Sequence, residues 1–122
     1  MSKYGNKKVT LNGFEFDSQM ECDFYRYLSN NYEELGIEKI ELQPKFTLLD
    51  SFKYNGETVR AITYTLDFKV TFKDGLIYYL DVKGMKTNEF RLKEKMFKYK
   101  IRNEIHASFF CVTLHKGQWI YY

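Results

Sequence analysis

The run from Tyr64 to Gly84, YTLDFKVTFKDGLIYYLDVKG, constrains this chain more than any other stretch. It reads as two strands joined at Lys73, Asp74 and Gly75. The apolar pattern selects their pairing, because a one-residue slip would turn every side chain of one strand to the other face. With a three-residue loop, Phe72 meets Leu76, Val70 meets Tyr78, Phe68 meets Leu80 and Leu66 meets Val82. A two-residue Asp-Gly turn would instead set Phe68 against Asp81 and Leu66 against Lys83, burying charge against hydrocarbon. The three-residue loop is therefore expected, with Gly75 at the positive φ of a bulge. On the other face Asp67 then stands opposite Asp81, and Lys83, two residues on, shares that face.

The flanking chain supplies the elements that pack around this hairpin. Asn12-Gly13 between Val9–Leu11 and Phe14–Phe16 predicts a tight hairpin. A first helix is expected from Asp17 or Ser18 to about Asn31, with Met20, Phe24, Tyr27 and Leu28 as its apolar stripe. Glu21 lies beside that stripe, where it can reach under the helix toward the sheet. Ser18 and Glu21 also have the spacing of a capping box, and local sequence alone favours that role. Residues 32–42 read as an acidic connector, followed by a strand around Gln43 to Leu49 that Pro44 opens. Asn55-Gly56 marks a turn between residues 52–54 and a long strand from about Glu57 to Phe72. After the Tyr64–Gly84 hairpin come a second helix over Asn88 to Asn103, capped by Thr87 or Asn88, and two strands, 107–114 and 118–122. The aromatic end, Trp119, Ile120, Tyr121 and Tyr122, suits either core or a dimer surface, with core preferred.

One hundred and twenty-two residues suffice for one core and not two, so a single domain is expected over 1–122, with residues 1–8 as a loose arm. Hydrophobic residues make up 44%, including 11 Tyr and 11 Phe, which excludes a disordered chain. No apolar run approaches the roughly 20 residues of a membrane helix, and a cytoplasmic protein is expected. Cys22 and Cys111 lack metal-binding spacing and read as buried, reduced thiols. Net charge is only +3, but it is segregated: Glu15 to Asp50 holds nine acids and three bases, Lys83 to Arg102 eight bases and two acids. On the second helix Arg91, Lys95, Lys98 and Arg102 recur at helical spacing as a basic stripe, the footprint of a polyanion binder. It starts a few residues after Lys83 and is expected beside the carboxylates.

Two aspartates on one hairpin face, without a nearby His or Cys, make an oxygen-rich site suited to a hard cation such as Mg²⁺ or Mn²⁺. The backbone carbonyl of Val82 is a candidate further ligand. Such a site suits phosphodiester cleavage, with Lys83 orienting or deprotonating the attacking water. The competing reading is an exposed polar sheet face with Lys83 as a weak cross-strand ion partner.

The order helix with Glu21, strand with Asp67, strand with Asp81-Val82-Lys83, basic helix and strand resembles the PD-(D/E)xK nuclease superfamily. Within it, FEFDSQMECDFYRYL, LQPKFTLL, YTLDFKV and YLDVKG are similar to a family of short phage-encoded proteins of uncharacterised function. The resemblance implies an α/β (α+β) fold with a restriction-endonuclease-like core, α-β-β-β-α-β, whose mixed sheet lies between two helices with added hairpins. It implies that Asp67 and Asp81 hold metal, that Lys83 serves the water and that Glu21 is an additional helix carboxylate, as in Holliday-junction resolvases. Leu66 stands where the motif has Pro, and Asp81 where Glu is commoner. The implied activity is a Mg²⁺-dependent DNA endonuclease acting on branched DNA in phage recombination or replication inside a bacterial host, working as a homodimer. The alternatives are a restriction-like nuclease on duplex or flap DNA and a non-catalytic nucleic-acid module. Gln43 and Lys95 are weaker candidates for substrate contact or support of the site.

Overall fold

In the computed structural model, which describes residues 8–122, the chain opens with β1 (Val9–Leu11) and β2 (Phe14–Phe16). Asn12 and Gly13 between them both have positive φ, the backbone that a tight two-residue turn demands. The expected arm of residues 1–8 lies outside the described residues except for Lys8, which pairs with Glu15 at 3.3 Å. α1 (Gln19–Asn30) follows, capped by Ser18, and then β3 (Ile37–Leu42). β4 (Lys45–Leu49), β5 (Phe52–Tyr54), β6 (Glu57–Val59) and β7 (Ile62–Thr65) form an arm in which β4 pairs with β7 and β5 with β6. β8 (Phe68–Phe72), β9 (Ile77–Val82), α2 (Asn88–Ile101), β10 (Ala107–His115) and β11 (Gln118–Tyr121) complete the chain, with Thr87 capping α2.

The result is a mixed α+β protein whose five-stranded sheet runs β11-β10-β9-β8-β3. Only the β9–β10 pair is parallel, as expected where a helix makes the connection. Phe68 faces Leu80 and Val70 faces Tyr78, and the Phe72 N–H meets the Leu76 carbonyl at 2.9 Å, so the expected register and three-residue loop are present. Gly75 has φ +93°. One sheet face packs Phe68, Val70, Leu80, Val82 and Val112 against Phe24 and Leu28 of α1. The other packs Tyr79 and Cys111 against Phe90, Phe97 and Ile101 of α2. Phe24 and Phe97 are fully buried, and losing either ring would cost about 3–5 kcal/mol. Both cysteines are free and buried, and burial pushes the Cys111 thiol up to about 11.

Three expectations change. Residues 37–42 are not a connector but the edge strand β3, and a register shift between Ile37 and Lys39 disrupts the two-residue alternation that would have marked it. The long strand over 57–72 is three strands, and its break at Leu66–Asp67 sends Leu66 to the α2 side, with Tyr64 and Phe90, instead of opposite Val82. The aromatic end is divided. Trp119 packs on Phe24 with ring centres 5.0 Å apart, whereas Ile120 and Tyr122 are exposed.

Candidate functional site

The strand break builds the site. In an unbroken ladder the hydrogen-bonding pairs would recur every two residues from Phe72–Leu76, and the Val82 N–H would meet the Leu66 carbonyl. Instead the Leu66 N–H turns to the Pro44 carbonyl and the Gln43 N–H takes the Asp67 carbonyl, each at 3.0 Å. The Val82 N–H donates to Asp67 Oδ2 at 2.8 Å, so a side chain occupies the place of a main-chain acceptor. The N–H and C=O of one strand residue leave from the same edge, so the Val82 carbonyl also faces Asp67 and away from β10. Gln43 therefore supports the site through its backbone, at φ +50°, with its side chain exposed.

Asp81, on β9, is 2% exposed. Its Oδ2 accepts the Tyr64 hydroxyl, and its Oδ1 lies 3.6 Å from Lys83 Nζ. Burial raises the Asp67 carboxyl well above the usual carboxylate range, and the charge of Asp81, a hydrogen bond with it and the charge of Glu21 add to the rise. The Val82 N–H works the other way. Burial, reinforced by the Asp81 charge, likewise raises the Tyr64 hydroxyl above its ordinary range, so Tyr64 is a donor at neutral pH.

Glu21 makes the cap contact and also lies within electrostatic reach of Asp81. Its N–H donates to Ser18 Oγ at 3.1 Å, and its Oε2 accepts the Asp17 N–H at 3.2 Å, one residue before the cap that a capping box would use. Its Oε1 is buried without a hydrogen-bond partner. Burial pushes this carboxyl up to about 7; the Asp17 and Asp81 charges add to the shift, and the Asp17 N–H and the close approach of the Asp67 carboxyl offset part of it. Glu21 does not line the open cleft into which Asp67 and Asp81 face.

That cleft, of about 430 Å³, has Lys83, Thr63, Thr65 and Lys93 on its walls. Lys83 Nζ sits 4.6 Å from the Phe90 ring centre, and the Lys83 carbonyl accepts the Tyr122 hydroxyl at 3.1 Å. None of Arg91, Lys95, Lys98 and Arg102 lines the cleft. Lys93 does, and each residue of the stripe stands about 140–200° around α2 from it. Lys98 is paired with Glu94 at 3.5 Å, and Arg102 stacks on Tyr99 at 3.7 Å. Lys93 could have been found from Phe90 and Phe97, which fix the buried side of the helix and so its flanks. Tyr64 offered no signal apart from its aromatic character. Lys86, paired with buried Glu94 at 3.2 Å beneath the Cys111 thiol, was also not singled out.

The donor set at Glu21, Asp67, Asp81 and the Val82 carbonyl consists only of oxygens, the chemistry that a hard cation requires. Among the described residues no three such side chains already stand as a formed metal cluster. The fit lies in the oxygens left over: Oε1 of Glu21 has no partner, and two raised carboxyls carry a repulsion that a cation would relieve. No helix among the described residues is long and apolar enough to cross a membrane.

Fold and site together define a two-helix α+β protein with a mostly antiparallel sheet and a buried acidic cluster under an open cleft. The chain belongs to the family described as "Protein of unknown function (DUF1064)", whose model matches residues 1–117. No curated protein matches the chain.

Proposed function

We propose that the chain is a metal-dependent DNA endonuclease of the PD-(D/E)xK type, with a restriction-endonuclease-like core, acting on branched DNA. The observation that carries this reading is the orphaned Oε1 of Glu21 beside two crowded aspartates and a lysine, which an exposed polar sheet face would not contain. The order α1, β3, β8, β9, α2, β10 supports it, because it follows the α-β-β-β-α-β core of that superfamily.

Asp67, Asp81, the Val82 carbonyl and Glu21 would hold Mg²⁺ or Mn²⁺, which supplies Lewis acidity toward the phosphate and a more acidic water. Tyr64 fixes the rotamer of Asp81. The Val82 N–H holds one oxygen of Asp67 and leaves the other for a ligand. Lys83, half-buried and 3.6 Å from Asp81, orients the attacking water and offsets charge developing on the phosphoryl oxygens. Lys93 and the threonine hydroxyls on the wall contact the backbone on either side of the cut. Symmetric cuts at a four-way junction call for a two-fold dimer. The test is a cleavage panel of junction, flap and linear duplex DNA with Mg²⁺ or Mn²⁺. Junction cleavage by the wild type, and binding without turnover by Lys83→Ala, are expected. Wild-type turnover in Lys83→Ala, or cleavage without divalent metal, would overturn the mechanism.

A further inference from the structure

A second groove, of about 410 Å³, opens between β7 and α2. It continues the acidic cleft, because Thr63, Glu89 and Lys93 line both. Across that shared rim the chemistry changes. The cleft presents carboxylates, hydroxyls and ammonium groups, whereas the groove beyond is walled by Ala61, Ile62, Leu92 and Met96. Leu92 and Met96 stand one turn apart on α2, and Leu92 is 60% exposed. Both are apolar, yet α2 buries a different side, the one that carries Phe90, Phe97 and Ile101.

We propose that this groove is a nucleobase subsite, taking the base of an unpaired nucleotide that adjoins the phosphate in the cleft. The placement of the phosphate rests on the nuclease reading above; the subsite adds the substrate class, DNA with an unstacked nucleotide beside the cut. Continuity is the first argument, since a strand whose phosphate lies at Asp67 and Asp81 meets the groove at the next rim. Charge is the second. Lys93 is the cation on that rim, and its 3.8 Å contact with exposed Glu89 is a weak competitor for a phosphate. Surface chemistry is the third. A base presents an apolar face, which Leu92, Ile62 and the adaptable thioether of Met96 can cover. It also presents a polar edge, which meets Thr63 and Glu89. The Glu89 carboxylate only accepts hydrogen bonds, so it meets the amine or ring N–H of the base. A base stacked inside a duplex cannot enter a groove that flanks the cleft.

The experiment uses a flapped duplex in which one abasic nucleotide is moved stepwise across the branch. Binding is read with Lys83→Ala, so that the DNA stays intact, and cleavage with the wild type and Mg²⁺. One abasic position is expected to weaken binding about 10-fold, the scale of one lost base contact. Adding Leu92→Ala and Met96→Ala should abolish that discrimination with an unchanged thermal midpoint. Cleavage that is indifferent to every abasic position overturns the subsite and leaves the nuclease. Base-dependent binding without cleavage by the wild type overturns the nuclease and keeps the subsite. If the two substitutions dissolve a dimer and leave discrimination intact, the groove is a subunit contact and the proposal falls. Failure to bind any DNA overturns both.

Discussion

Glu21→Gln separates a strained acidic site from an ordinary helix cap. Below about pH 4.5 Glu21 is protonated in both the folded and the unfolded chain and contributes no pH dependence. Its folded value is raised from 4.5 to about 7, so as pH rises through that window the unfolded chain releases its proton first. Wild-type stability therefore falls across the window, and above pH 7 the loss is complete. A shift of this size corresponds to about 3 kcal/mol. Glutamine has no proton to lose. Its carbonyl can still accept the Asp17 N–H, and its amide can donate where Oε1 has no partner. In EDTA, the stability of Glu21→Gln relative to wild type should rise by about 3 kcal/mol between pH 4.5 and pH 8, on the order of 10 °C in midpoint. Urea unfolding at the two pH values measures this difference. Millimolar Mg²⁺ at pH 8 should restore much of the wild-type deficit and little in the variant. A difference that does not change with pH would show that Glu21 is only a cap, and the electrostatic reasoning would be wrong.

Removal of the hydroxyl in Tyr64→Phe frees Asp81 to rotate; a 10–100-fold loss of cleavage with little change in DNA affinity is expected from steady-state kinetics. Gln43→Gly should leave thermal stability and activity near wild type, whereas Gln43→Val should lower stability by about 1–2 kcal/mol, because a branched side chain resists φ near +50°. Glu94→Ala strands Lys86 among buried groups and should cost about 3 kcal/mol by urea titration, against under about 0.5 kcal/mol for the exposed pair partner in Glu89→Ala. Lys93→Ala should lower the salt dependence of DNA binding by about one counterion, measured by anisotropy over a range of NaCl.

The register of β8 and β9 was legible because the alternating apolar residues of both strands had to share a face, and a slip would have been costly at each. The turns at Asn12-Gly13 and Asn55-Gly56 were legible for a local reason, since their backbone conformations suit those residues. The break at Leu66 was not. Leu66 is apolar and fits either side of the sheet, and what decides its side is the Pro44 carbonyl, 22 positions away in sequence. β3 escaped because its bulge disguises the strand period. The acidic cluster was legible as a set of residues, yet closeness to Lys83 in sequence is a poor guide to where the basic stripe points, which Phe90 and Phe97 decide by orienting α2. Those rings turn the stripe away and bring Lys93 to the cleft.

The two hydrogen bonds at the foot of the β4–β7 arm, Gln43 to Asp67 and Leu66 to Pro44, also bear on how this protein can change. They close the arm where it joins the sheet, so the position of Asp67 is fixed below everything from β5 to β6. The six strand residues of that tip are all exposed, and Phe52 and Tyr54 extend into solvent. The tip is thus set apart from the acidic cluster: a change in its length leaves in place the two hydrogen bonds that hold Asp67.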